Sequence, residues 1–219
     1  MERIKNNDKF KLYYDFLVQE NEKYNLTNIT EQNEAYIKHF YDSVQMENIV
    51  DLNSVKTLCD VGSGAGFPSI PLKILYPHLH VTIVEPTLKR CNFLNQLVKT
   101  LQLDNVIIIN DRAENMKDLR NNFDIVTARA VASMPILLEL CVPLVKVDGM
   151  FISLKGSSFH EEMTLSSNAI KELFVKVTKV YEYELPNNYG KHSLIVFNKF
   201  KQTNIKYPRN YSTIKKKPL

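Results

Sequence analysis

The chain has 219 residues, 44% of them hydrophobic and 24% charged, with a formal net charge of +4. That length suits one α/β domain with an appendage, while no apolar run approaches the roughly 20 residues of a membrane span and no secretion or lipidation signal opens the chain. Cys59, Cys91 and Cys141 are widely spaced and form no C-x-x-C pair, which argues against zinc or disulfide frameworks and for a reducing, cytoplasmic compartment.

Residues 8–24 carry Phe10, Tyr13, Tyr14, Leu17 and Val18 on one stripe, which predicts an amphipathic helix. A second helix is predicted over 31–48, with Ala35, Ile37, Phe40, Tyr41 and Val44 as its apolar positions. Residues 1–54 therefore read as an N-terminal helical extension. Short apolar strands then alternate with helices: strands at 55–61, 81–84, 106–109, 123–128 and 150–154, helices at 69–75, 87–102, 113–119, 133–146 and 160–175. Such alternation implies a parallel sheet covered on both faces. The closing strands, 179–185 and 193–198, have only a turn between them, so they form a hairpin and one strand runs antiparallel. Residues 55–199 thus read as one α/β domain. Residues 200–219 are a basic tail: from Lys199 onward the chain has Lys201, Lys206, Arg209, Lys215, Lys216 and Lys217 and no acid. With those seven cations set aside, the first 198 residues carry −3. That split is typical of a polyanion-binding extension.

The segment Asp60-Val61-Gly62-Ser63-Gly64-Ala65-Gly66-Phe67 follows the first parallel strand. Its glycines permit the positive φ and close backbone approach of a ligand-cradling turn. A dinucleotide fingerprint needs glycine where Phe67 stands, and no Lys-Ser or Lys-Thr follows a suitably spaced glycine to make a phosphate loop. Asp60, Glu85, Asp111 and Glu114 fall at strand ends, where ligands bind in open α/β sheets. A carboxylate about 4 Å from a phosphate is repelled by roughly 1–4 kcal/mol, whereas the sulfonium and ammonium of S-adenosylmethionine are both positive. Glu85, 19 positions past Gly66, stands where an acid grips ribose hydroxyls. A plain tight turn, and a helix-start role for Glu85, are the alternatives.

Asn25-Leu26-Thr27, Lys38-His39-Phe40-Tyr41-Asp42-Ser43, Asp60 through Leu72, Arg112-Ala113-Glu114, Ala128-Arg129-Ala130, Leu154-Lys155-Gly156 and the Tyr207-Pro208-Arg209 and Lys216-Lys217-Pro218-Leu219 ending together resemble the bacterial small-subunit ribosomal RNA methyltransferase G family, also called glucose-inhibited division protein B. The resemblance spans nearly the whole chain. It departs from the family at Ser69, where many members have glycine, and at 210–214, where a G-T-P segment is usual. The resemblance implies a Rossmann-like class I methyltransferase with a seven-stranded, mostly parallel sheet, and methyl transfer from S-adenosylmethionine to N7 of guanine 527 (usual rRNA numbering) in 16S rRNA. It also implies cofactor contacts at Gly62, Phe67, Ala113-Glu114 and Arg129. With the loop and the acids, the full set of cofactor candidates is Asp60, Gly62, Gly64, Gly66, Phe67, Glu85, Asp111, Ala113, Glu114 and Arg129.

Guanine N7 carries a lone pair and no proton at neutral pH, so its methylation needs alignment rather than a general base. Arg129, at the end of the fourth strand, is the candidate catalytic residue through its planar fork; a structural ion pair to Asp111 or Glu114 is the alternative. Lys155, Lys201, Lys206, Arg209, Lys215, Lys216 and Lys217 are the candidate RNA contacts, and Phe200, Tyr207 and Tyr211 add stacking surfaces. His39 and Asp42, three apart, read as a helix-packing hydrogen bond. No metal site and no obligatory partner chain is expected, and the partner is 16S rRNA or the small subunit. A methyltransferase acting on small molecules or protein, and a noncatalytic nucleoside-binding RNA chaperone, stay open.

Overall fold

A computed structural model describes residues 1–157 and 159–219. Helices α1 (Glu2–Lys5) and α2 (Asp8–Tyr24) open the chain. Asn7 caps α2 by accepting the Lys9 N–H, and Asn25 ends it in the left-handed region at φ 50°, a conformation Asn tolerates. Phe10, Tyr13 and Leu17 of the predicted stripe are buried.

The helix expected over 31–48 is broken into unlike turns. Helix α3 (Gln32–Ala35) leads into a π-helical turn at Tyr36–Tyr41, then α4 (Asp42–Val44) and a 3₁₀ turn at Gln45–Asn48. In the wide turn the Asp42 N–H reaches back to the Ile37 carbonyl. The extra residue carries His39 inward together with Tyr36, Ile37 and Phe40, which regular α spacing does not achieve.

The remainder alternates as read: β1 (Thr57–Val61), α5 (Ser69–Leu75), β2 (His80–Val84), α6 (Leu88–Thr100), β3 (Val106–Ile109), β4 (Phe123–Arg129), α7 (Met134–Cys141), β5 (Val145–Gly156), α8 (Phe159–Leu165), α9 (Ser167–Glu172), β6 (Val175–Glu184), β7 (Lys191–Lys199) and α10 (Tyr211–Lys216). Three expected helices differ. Two 3₁₀ turns, Ala113–Asn115 and Lys117–Leu119, replace the one at 113–119. Helix α7 stops at Cys141 rather than 146, because Pro143 lacks a donor and disfavours helix before it. The 160–175 segment divides at Ser166, whose hydroxyl donates to the Glu162 carbonyl, a bond that competes with the helix.

The seven strands lie in the order β3-β2-β1-β4-β5-β7-β6. β7 is antiparallel to both neighbours and is the one reversed strand among the described residues. Successive residues face opposite layers, as a strand requires: Leu58, Ile125, Ile152 and Leu194 join the N-terminal helices in one core, and Cys59, Val126, Phe151 and Ile195 join α7 in the other. Tyr207 and Ile214 of the tail are buried in that second core. Among the described residues no helix is long and apolar enough to cross a membrane.

Candidate active site

β1 lies between β2 and β4, and the chain leaves it in opposite directions on the two sides. This reversal opens a crevice at the strand ends, and the 60–67 loop fills its rim. The Gly62 N–H donates to the Val84 carbonyl at 2.8 Å. Gly62 has φ +72°, and a Cβ there would stand 2.8 Å from Val131 Cγ2. Gly66 has φ +102°, and its Cβ would meet Tyr13 Oη at 2.7 Å. Tyr13 in turn donates to the Ala65 carbonyl at 2.5 Å. Helix α2 thus buttresses the loop from behind.

A cavity of about 260 Å³ lies in front, walled by Val61, Gly62, Glu85, Ala113, Glu114 and Tyr211 among others. Glu85 is buried, accepting the Gly64 N–H at 3.1 Å and the Thr87 N–H at 3.0 Å. Each of its oxygens keeps a further lone pair. The sequence predicts an acid-rimmed crevice here. Arg90 and Arg112 also line it; Arg90 stands 3.7 Å from Glu85, and Arg112 Nε donates to Glu114 at 2.5 Å. The rim is therefore balanced rather than acidic, which corrects the charge argument. Asp60 is wholly buried behind the loop, where Oδ2 accepts the Ser69 N–H at 3.2 Å and Oδ1 has no partner among the described residues. Burial pushes its carboxyl up to about 7 despite the bond from the Ser69 N–H. Asp111 is taken up by the Arg112 N–H and by Asn115 within the turn that presents Ala113 and Glu114.

Through Gly62, Arg90 and Ala130 this cavity meets a smaller one of about 180 Å³, and through His39, Arg129 and Ala130 that one meets an open chamber of about 530 Å³. The Phe67 ring stacks with Tyr13, at 5.4 Å, and with His39, at 4.5 Å. The Arg129 guanidinium lies 4.9 Å from its ring centre. Arg129 donates to Asp42 Oδ2 at 3.1 Å and to the Lys38 carbonyl at 3.2 Å. That carbonyl faces Arg129 because the π turn routes the Asp42 amide to Ile37 instead. Asp42 Oδ1 accepts from Tyr183 and His192, each at 2.7 Å. Burial alone would raise the Asp42 carboxyl, yet His192 and Arg129 outweigh it and hold it below the ordinary range. Burial and Arg129 lower His39 to about 3, so its imidazole is neutral. Ala130 takes the left-handed φ of 55°, costing about 1–2 kcal/mol, where the chain turns between the cavities.

Sequence reasoning picked out Arg129 but missed its partner: the anion is Asp42, not Asp111 or Glu114. The i, i+3 bond expected between His39 and Asp42 is replaced by their separate partners, for His39 the Thr27 hydroxyl at 2.9 Å. Thr27, Tyr183 and His192 were not singled out for the site, though Thr27 left a signal inside the Asn25-Leu26-Thr27 motif, and Tyr211 was expected to stack on RNA rather than to line this cavity. Lys155 donates to Glu162 at 2.6 Å and to the Ala132 carbonyl, on the wall of the open chamber. In the tail, Lys201, Lys206, Lys215, Lys216 and Lys217 are exposed, whereas Arg209 is drawn inward onto buried Glu139 at 2.6 Å.

Solved structures share this fold. M. jannaschii TYW2 in complex with AdoMet superposes with TM-score 0.59 at 18% identity, over 79% of this chain and 80% of that one. A SAM dependent methyltransferase from Aquifex aeolicus gives 0.56 at 17%, over 74% and 92%. The architecture and its switch-point crevice are those of the Rossmann-like S-adenosylmethionine-dependent methyltransferases. Within that class the family model for rRNA small subunit methyltransferase G matches residues 6–189. The chain is 49% identical over 215 residues to Ribosomal RNA small subunit methyltransferase G of Bacillus subtilis (strain 168), covering 97% of this chain and 90% of the relative. Against the protein of that name in Staphylococcus saprophyticus the identity is 51% over 217 residues, covering 98% and 91%. The chain belongs to the rRNA small subunit methyltransferase G family.

The cavities fit S-adenosylmethionine. Glu85 keeps acceptor capacity for a diol, and the buried Ser63 hydroxyl, on the wall of the smaller cavity, has no protein partner among the described residues. Gly62 leaves room for close backbone approach only while it lacks a side chain.

Proposed function

We propose that this chain methylates N7 of one guanine, guanine 527 in the usual rRNA numbering, in 16S rRNA of the small ribosomal subunit, acting in the cytoplasm without an obligatory partner chain. S-adenosylmethionine, when bound, supplies a methyl group activated by its sulfonium. Glu85 holds the ribose, Ala113 and Glu114 border the adenine, and Gly62, Ser63, Gly64 and Phe67 hold the amino-acid end. Gly66, Asp60 and Asp111 act behind them by shaping the loop and the turn. Guanine enters the open chamber beside Arg129.

One observation carries the reading: every lysine and arginine lining that chamber, among the described residues, is paired with a carboxylate. Arg129 is paired with Asp42, Lys155 with Glu162 and Lys38 with Glu34, and His39 is neutral. A purine methylated on N7 becomes cationic, and an uncompensated charge nearby would oppose it by a few kcal/mol. N7 brings no proton to remove, so the chain's task is to align the base, keep Arg129 in place and exclude water. A reachable N7 implies a splayed loop base, because the A-form major groove is closed to side chains. The exposed tail lysines track the phosphates around it.

The test supplies radiolabelled S-adenosylmethionine with naked 16S rRNA or small subunits and maps the product by mass. Label on guanine N7 at one position is expected. Label in protein, in a small molecule, at another RNA atom, or nowhere rejects the reading.

A further inference from the structure

The C-terminal segment does more than present charge, because it ends against the first cavity. Tyr211, the first residue of α10, is part of that cavity's wall, on the side of Ala113, Glu114 and Leu140. The Arg112 guanidinium lies 4.1 Å from the centre of its ring, and its Nε donates to Glu114. An aromatic ring beside a planar cation at a cavity wall offers stacking surface to a heteroaromatic base.

The segment before it is fastened at several points. The Arg120 guanidinium donates to the carbonyls of Thr203, Asn204 and Tyr207. Tyr207 is buried and donates to Glu172 at 2.9 Å. Arg209 grips both oxygens of Glu139, at 2.8 and 2.6 Å, and also donates to the Lys217 carbonyl at 3.0 Å. Asn210 caps α10 through the Thr213 N–H, and Ile214 is buried beneath it. A solvated basic arm needs none of these bonds. Their common result is to fix Tyr211 at the mouth of the cavity.

We infer that the tail is a structural part of the cofactor site, with Tyr211 forming the outer wall against the adenine. This deepens the proposed function and rests on its cofactor reading. Cofactor affinity then depends on a residue 150 positions or so from the glycine loop, on a segment whose charge alone points to RNA.

Calorimetry with S-adenosylhomocysteine on the full chain tests it. Tyr211→Leu keeps bulk but loses the ring, and should weaken binding about tenfold, within the range of base–aromatic stacking. Tyr211→Phe keeps the ring and should bind within about twofold of the wild type. Thermal melts of the three proteins should coincide within the shift of a surface substitution, which separates a lost contact from a lost fold. Equal affinity in Tyr211→Leu and wild type overturns the inference, as does an equal loss in Tyr211→Phe. If the wild type itself takes up no S-adenosylhomocysteine, the cofactor reading fails instead, before the variants are compared.

Discussion

Arg129 joins three elements at one point: it stands at the end of β4, bonds to the π turn and lies beside the ring of Phe67. A guanidinium suits that junction because its donors are fixed in a plane, which an ammonium cannot reproduce. Arg129→Lys should keep the fold, since Tyr183 and His192 still hold Asp42, yet slow methyl transfer about a hundredfold through misplacement. Arg129→Ala should also destabilise by about 3 kcal/mol, because it strips the cation from a buried carboxylate. Single-turnover rates and urea melts measure both, and a near-normal rate in Arg129→Lys would falsify the positioning role. The sequence made Arg129 legible because a charged residue after an apolar strand falls on the ligand crevice. Its partner was not legible. Asp42 lies 87 positions earlier, and helical periodicity says nothing about which strand end a helix packs against. His39 and Asp42 were misread for a related reason: the three-apart rule assumes an α turn, and here the turn is π.

Elements whose ends carry local chemistry were read well. α2, α5 and β3 match their expected spans because an apolar pattern marks each of them, and Asn7 and Asn25 mark the two ends of α2. The loop from 60 to 67 was legible for the same reason, as its glycines follow a strand. What the pattern concealed is that α2 packs behind the loop, with Tyr13 filling the space a Gly66 side chain would take. Gly66→Ala should therefore cost about 2–5 kcal/mol, combining left-handed strain with overpacking. It should also loosen α2 against limited proteolysis. Urea midpoints and cleavage within residues 8–24 report on it; a variant as stable and protected as wild type removes the buttress from the account. The tail's docking was hidden too, since Tyr207, Arg209 and Ile214 follow no period. One clue existed. Glu139 is the single acid in the apolar run of α7, and a buried acid requires a cation.

Across the whole molecule, charge divides between groups that face solvent and groups that face one another. Lys215, Lys216 and Lys217 are exposed together at the C-terminal end. If each neutralises one phosphate, replacing all three with Gln should flatten the salt dependence of rRNA affinity by roughly 2 in log–log slope. Binding titrations from low to moderate salt measure this, and an unchanged slope assigns RNA contact elsewhere. The inward groups instead set how stability varies with pH, and two of them oppose each other. His39, lowered to about 3 from 6.5 by burial and Arg129, stays neutral in the fold where the unfolded chain takes up a proton. The unfolded state then binds more protons between those values, so this contribution to stability is lost as pH falls through them. Asp60 works the other way. Burial raises it from 3.8 to about 7, so the folded state keeps a proton that the unfolded chain has released, and stability is lost as pH rises from 3.8 through 7. Above 7 the fold carries a buried carboxylate with one unpartnered oxygen. Asp60→Asn keeps an acceptor for the Ser69 N–H and removes that charge. The variant should exceed wild type in stability at pH 8 by a few kcal/mol, with the advantage shrinking below about pH 7 as Asp60 takes up a proton in the fold while the unfolded chain stays ionised down to about 3.8. Urea unfolding at pH 8, 6 and 4 follows the difference. A variant no more stable than wild type at pH 8 would mean that the Asp60 charge is compensated in the fold, and the glycine loop would then rest on an ionised carboxylate rather than a protonated one.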